Sequence, residues 1–289
     1  MSIPFPRTDV SGISLSRMII GTNWLLGWSH TGPAADRLIK TTNPDGGAMV
    51  PLLAKFLENG VDTVMGPISS QLTMLDGIRE AEEKTGRNMI LVDTPIINVG
   101  NDVLSRKEAY ETIKQSAAIG ASFCLLHHSS VEKLVRKDTE TIERLDDYTK
   151  MIREQGMIPG LSAHMPELVV YSDMNNYDVE TYIQIYNCMG FLMQVEVESI
   201  AKVIHNARKP VMTIKPMAAG RVTPYVGLNF VWNTIRPCDM VTVGCMTELE
   251  AEEDIEISMA AIERRFPGIG PRSSPAPDQA AFANKRTLK

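Results

Sequence analysis

Val61-Asp-Thr-Val-Met65, then residues 72–84 closed by Gly86, then Met89-Ile-Leu-Val-Asp93, make one complete strand–helix–strand unit. The two short runs are rich in β-branched and other apolar residues, which suits strands buried on both faces. Between them apolar positions recur at helical spacing, and a glycine follows as a stop. The same unit continues in both directions. Upstream, Val10-Ser-Gly-Ile-Ser-Leu-Ser16 reads as a hairpin, Met18-Ile-Ile-Gly-Thr-Asn23 as a first strand, and 49–59 as a helix stopped by Gly60. Downstream, a helix over 106–119 leads to Phe123-Cys-Leu-Leu-His127, and a charged helix over 139–155 leads to Ile158-Pro-Gly-Leu-Ser162, a strand weakened by its proline. A short helix over 166–172, a strand over 181–187 and a helix over 192–206 follow. The series ends with a strand at 210–215, a helix at 224–235, a strand at 239–244 and a helix at 249–266.

Eight strand–helix pairs in roughly 250 residues fit an α/β fold of the (β/α)8 TIM-barrel type better than an open doubly wound sheet. The first strand–helix turn also lacks the GxGxxG of a dinucleotide-binding sheet. The expected organisation is a single barrel domain over 1–266 with an N-terminal β-hairpin. An irregular C-terminal tail, 267–289 and rich in Pro, Ser and Ala, would lie over the surface or reach a neighbouring subunit of a homo-oligomer.

Composition narrows the partners. The chain has 289 residues, 44% apolar and 22% charged, an ordinary globular balance that excludes collagen-like, coiled-coil and disordered classes. A net charge of −6 without a basic stripe argues against nucleic acid. No apolar run approaches the roughly 18 residues of a membrane-spanning helix, and Met1-Ser-Ile-Pro-Phe-Pro-Arg7 does not read as a secretory signal. Cys124, Cys188, Cys238 and Cys245 are scattered with no CxxC pair, which reads as reduced thiols in a cytoplasmic protein. A small-molecule substrate is the expected partner.

Sites in this fold sit at the C-terminal ends of the strands, and polar residues collect there. His30, His127, His128 and His164 fall at a strand end or in the loop beyond it; only His205 lies on an outer helix. Asp93 ends the third strand, Lys215 the seventh, and Gln184 and Asn187 close the sixth. His127 and His128 are consecutive, so only one faces the mouth while the strand persists. Asp93 is costly to bury unless paired or bound to a cation. With His127 and His164 from the next two strands it would offer one carboxylate and two imidazoles to a divalent metal, or form a hydrogen-bonded Asp–His pair without one. Lys215 has three readings: ion-pair partner of Asp93, general base, or Schiff-base nucleophile.

These strand-end motifs resemble those of the aldo-keto reductase superfamily along most of the chain. Gly12-Ile-Ser-Leu-Ser-Arg-Met-Ile-Ile-Gly-Thr22 resembles its hairpin and first strand, Leu125-Leu-His127 the segment carrying its catalytic histidine, and Gly160-Leu-Ser162 its GxS motif. Gln184-Ile-Tyr-Asn187 resembles the segment whose Gln and Asn seat a nicotinamide. Lys215-Pro-Met-Ala-Ala-Gly220 resembles the seventh-strand SPL-type turn, and Val243-Gly-Cys-Met-Thr-Glu-Leu-Glu-Ala-Glu-Glu253 the eighth-strand loop and helix. The resemblance implies a barrel with NADPH-dependent carbonyl reduction, a tyrosine proton donor and supporting aspartate, lysine and histidine.

The chain departs from that tetrad. Met65 stands near the aspartate position and Ser70 near the tyrosine; no tyrosine occurs between Gly60 and Arg106, and Val92-Asp93-Thr94-Pro95 replaces the lysine. Loss of the phenol removes a general-acid contribution of about 10²–10⁴-fold. Thr247-Glu-Leu-Glu250 reads as a capping box, and no Lys or Arg occurs between Pro237 and Ile262, so the phosphate end of NADPH meets occupied N–H groups and carboxylates. NADPH binding is therefore disfavoured and kept as the rival reading.

The expectation is an enzyme on this scaffold that acts on a small polar metabolite, a sugar or keto-sugar derivative being the class that suits. Asp93 and His127 would move protons, His164 bind metal or substrate, and Lys215 stabilise an enolate-like charge. Asn23, His30, Gln184, Asn187 and Arg221, with Trp24 or Trp28 as a flat apolar face, would seat a polyhydroxylated ring. Lyase, epimerase, isomerase and hydrolase chemistry remain open. The rivals are an NADPH-dependent reductase with an atypical proton donor, a non-catalytic binding or regulatory protein, and a Schiff-base aldolase using Lys215.

Overall fold

A computed structural model describes residues 4–270. Twelve strands are present among them: β1 (Arg7–Val10), β2 (Ile13–Ser16), β3 (Met18–Gly21), β4 (Thr63–Gly66), β5 (Ile90–Asp93), β6 (Phe123–Leu126), β7 (Val135–Arg136), β8 (Thr141–Ile142), β9 (Ile158–Ala163), β10 (Tyr182–Ile185), β11 (Val211–Ile214) and β12 (Met240–Val243). β3, β4, β5, β6, β9, β10, β11 and β12 close into a barrel in that order, with every pairing parallel. The antiparallel β1–β2 hairpin precedes it. This is the (β/α)8 barrel with N-terminal hairpin that the alternation of short apolar runs and helices implied. Of the tail at 267–289, only 267–270 fall within the described residues.

Strand alternation sorts the side chains into two layers. Ile19, Met65, Val92, Phe123, Leu125, Ile183, Met212 and Met240 fill the barrel interior. Met18, Ile20, Val64, Leu91, Cys124, Leu126, Leu161, Tyr182, Val211 and Val241 face outward and pack under the helices. Gly160 makes room inside, since a Cβ there would stand 2.7 Å from Leu125 Cγ. Pro159 does not shorten its strand: β9 is six residues long, and the Pro159 carbonyl accepts from Glu180 N.

The loops hold what periodicity did not reveal. The helix expected from 139 starts at Leu145. Glu140 and Arg144 take left-handed backbone, φ 53° and 57°, so the chain first folds back as the small β7–β8 sheet. Two helices in the first strand–helix connection, Asn23–Leu26 and Pro33–Thr42, were not anticipated. Among the described residues no helix is long and apolar enough to cross a membrane.

Candidate active site at the barrel mouth

The C-terminal ends of the barrel strands open onto a cavity of about 630 Å³. Its floor is the interior apolar layer, capped by Ile183, Ile214 and Thr242; its sides come from the loops. Asn23, Trp24, Trp28 and His30 contribute one wall, His127, His128, Ser162 and His164 another, and Lys215 to Gly220 a third. Trp24 is seated by glycine: a Cβ on Gly244 would lie 2.8 Å from its Cδ1, and one on Gly220 would lie 3.8 Å from its ring. Asn23 Nδ2 and His30 Nε2 stand 3.1 Å apart.

Because β6 ends at Leu126, His127 and His128 both lie beyond strand alternation and both reach the cavity. His127 caps the short helix His128–Val131, its Nδ1 accepting from Ser129 N at 3.3 Å. A ring accepting at Nδ1 keeps its proton on Nε2 when neutral. Burial, followed by His128, lowers the His127 pKa to about 4. Burial, followed by His128 and Lys215, lowers that of His164 to about 3. Both are neutral imidazoles at pH 7. The rings of His128 and His164 stack with centroids 3.6 Å apart, and those of His127 and His128 lie 4.2 Å apart.

Lys215 follows β11 and adopts left-handed backbone at φ 61°; Ala218 and Ala219 do the same at 50° and 54°. Such conformations cost a non-glycine residue of order 1 kcal/mol each and persist where surrounding structure enforces them. The turn is closed by Ala218 N donating to Lys215 O at 2.9 Å. Burial pushes the Lys215 pKa down to about 8, with no neighbouring carboxylate raising it.

Several expected site residues are turned elsewhere. Asp93 is fully buried, but Val92 fills the interior, so the next side chain points outward. Its carboxylate accepts from Ser116 Oγ at 2.6 Å and Ser69 N at 3.0 Å. It pairs with neither Lys215 nor His127, which corrects its expected roles as proton carrier and metal ligand. Gln184 likewise lies between the inward Ile183 and Ile185, buried and with both amide atoms unpartnered. Asn187 spends its amide on its own loop, bonding Met189 N, Phe191 N and Phe191 O. Arg221 is a brace rather than part of the lining. It stacks on Phe191 at 4.0 Å and donates to Ala218 O and His30 O.

Asn23, Trp24, His30, His127, His164 and Lys215 do converge on one cavity. His128, expected at the rim with only one of the histidine pair facing the mouth, also lines the cavity; Asp254, which the sequence did not single out, lines it too, and Glu132 stands just behind. Asp254 lines the far end with Glu250 and Glu253. Burial raises its pKa to about 7, and Cys245 Sγ donates to its Oδ2 at 3.3 Å. Its position on the buried helix face with Ala251, Ile255 and Ser258 was the available signal.

The residues do not fit NADPH. Thr247 Oγ1 accepts from Glu250 N, while the Glu250 carboxylate accepts from Met246 N at 2.7 Å and Thr247 N at 3.1 Å. The capping box read from the sequence is formed, and it takes N–H groups that a phosphate would use. Gln184 and Asn187, the expected nicotinamide holders, face away or are engaged. Among the described residues no tyrosine lines the cavity; the hydroxyls of Tyr182 and Tyr186 bond Asp173 and Thr234 outside the barrel.

No protein-family model matches the chain, and no curated protein matches it. Among solved structures it is similar to PA4992 from Pseudomonas aeruginosa, a candidate aldo-keto reductase, with TM-score 0.63, 13% identity and coverage of 89% of this chain and 95% of that one. It is similar also to a glycerol dehydrogenase from Gluconobacter oxydans, with TM-score 0.59, 13% identity and coverage of 93% and 99%. An aldo-keto reductase from Klebsiella pneumoniae, solved in complex with NADPH, gives TM-score 0.57, 13% identity and coverage of 93% and 92%. At this identity the likeness is one of fold.

Proposed function

We propose that the chain is an enzyme performing non-redox acid–base or metal-assisted chemistry on a small polar, carbonyl-bearing metabolite, with sugar-derived compounds the favoured class. The observation that carries this reading is Lys215: a half-buried amine on a left-handed backbone, lining a largely apolar cavity beside His127, His128 and His164, with its pKa lowered to about 8. As ammonium it stabilises an enolate-like oxygen; as amine it attacks a carbonyl or takes an α-proton. The Nε2–H of His127 donates to the substrate carbonyl oxygen. Trp24 supplies a flat apolar face, and Asn23 and His30 engage hydroxyls.

The test is exchange of α-protons from a panel of hydroxy-aldehydes and ketoses into D2O, followed by NMR without added cofactor. Exchange that disappears in Lys215→Met supports the reading. Borohydride trapping on the same panel separates Schiff-base from purely electrostatic use of the lysine. The rival, an NADPH-dependent reductase, rests on the fold alone. Saturable NADPH fluorescence enhancement, with carbonyl reduction and no exchange, would replace the present reading by that one.

A further inference from the structure

His128, Glu132 and His164 offer two imidazole nitrogens and one carboxylate oxygen that all lie within 4.8 Å of one another. We propose that this trio binds a divalent first-row transition-metal ion at the cavity edge, leaving coordination positions open toward the substrate. It is a different set from the Asp93, His127 and His164 suggested by strand order.

The chain builds the site from two adjacent strand ends. His128 and Glu132 are four residues apart along the helical turn that follows β6, a spacing that puts them on one face. His164 follows β9, the neighbour of β6 in the barrel. Glu132 Oε1 accepts from the backbone N–H groups of His164 at 2.8 Å and Met165 at 2.9 Å. Those two bonds fix the carboxylate and direct its second oxygen toward His128. Glu132 Oε2 stands 3.8 Å from His128 Nδ1. That is too long for a hydrogen bond, yet within the span of two ligands that each reach one ion at about 2.0–2.2 Å.

His128 and His164 line the cavity, while Glu132 is not among the lining residues. Two imidazoles and one carboxylate with the remaining positions facing substrate is the pattern of a reactive rather than a structural metal. The backbone donors on Glu132 act as the outer support that such ligands need. An ion there would accept the carbonyl or vicinal hydroxyl oxygens of a polar metabolite. That catalytic role rests on the reading of the mouth given above; binding of the ion does not.

The experiment uses the full-length protein, stripped with chelator and dialysed, then titrated with Zn2+ alone by calorimetry and Co2+ alone by visible absorption. The expected result is one ion per chain and Co2+ ligand-field bands. Glu132→Gln and His164→Gln should each weaken binding by at least the roughly 10–100-fold that loss of a ligand's supporting partner costs, while His205→Gln on the outer helix should leave it unchanged. Circular dichroism checks that each variant folds, and His128→Asn serves if either fails. Absence of saturable binding, or binding retained in the ligand variants, overturns the proposal. Proton exchange is read separately on stripped protein, so lost metal binding with exchange intact refutes this inference alone.

Discussion

Lys215→Met gives the sharpest test of the site's electrostatics. Methionine keeps much of the length and volume of the side chain and removes the amine. Moving a lysine from its ordinary 10.5 to about 8 corresponds to about 3 kcal/mol at 1.36 kcal/mol per pH unit. The side chain is half-buried, so solvent screening reduces this to roughly 2 kcal/mol. Below pH 8 the amine is protonated in both folded and unfolded chains, and the whole destabilisation stands. Between 8 and 10.5 the unfolded chain holds a proton that the folded chain has released, so wild-type stability rises with pH. Above 10.5 both forms are neutral and the destabilisation is gone. The left-handed backbone at this position is common to both proteins and cancels. Urea unfolding, followed by the fluorescence of the three tryptophans in chelator-treated protein, should therefore show the variant more stable by about 2 kcal/mol near pH 7. The difference should shrink steadily above pH 8. A variant that is equally or less stable at pH 7, or a difference indifferent to pH, refutes the argument that burial governs this amine.

Three further outcomes follow from the geometry. Asp93→Ala strips the acceptor from Ser116 Oγ and Ser69 N; it should destabilise by about 2–3 kcal/mol in urea unfolding while leaving Zn2+ affinity unchanged. Asp254 is protonated in the folded chain and ionised in the unfolded one between pH 3.8 and about 7, so its contribution falls as pH rises through that window. Asp254→Asn should therefore gain about 4 kcal/mol at pH 8 and little at pH 4, measured by the same titration. Gly244→Ala places a Cβ 2.8 Å from Trp24 Cδ1; displacing the indole should cost about 1–3 kcal/mol and alter the near-UV circular dichroism.

The barrel was legible because its signal is repeated eight times, and an error of two residues at any one strand end does not change the topology. The site was legible only where loops, rather than strand phase, set the direction of a side chain. His127, His164 and Lys215 lie just past their strands, where proximity to the rim is enough to reach the cavity. Asp93 and Gln184 lie within strands, so a single step of alternation decides which side they serve. The sequence marks that phase weakly, since inward and outward positions are both apolar: Val92 before Asp93 faces inward and Cys124 beside Asp93 faces outward. His128 was discounted for the opposite reason, because β6 was read one residue too long. Glu132 was hidden because the helix expected after β6 was placed at 139 rather than at the turn starting with His128.

The division between layers also explains why a similar barrel need not carry similar chemistry. Folding is served by Ile19, Met65, Val92, Phe123, Leu125, Ile183, Met212 and Met240 inside, and by the apolar face under the helices outside. His127, His128, His164 and Lys215 stand above the interior layer and belong to neither cluster. Exchanging a rim residue alters protonation and charge at the mouth without opening a cavity in the core, where lost packing costs several kcal/mol. A histidine follows β6, Met65 fills the barrel interior at the end of β4, and the cation of the site rises from β11. A low-pKa lysine two barrel strands from His164 thus costs the scaffold burial of one amine and no core packing, which is why the fold and the chemistry have to be argued from different residues.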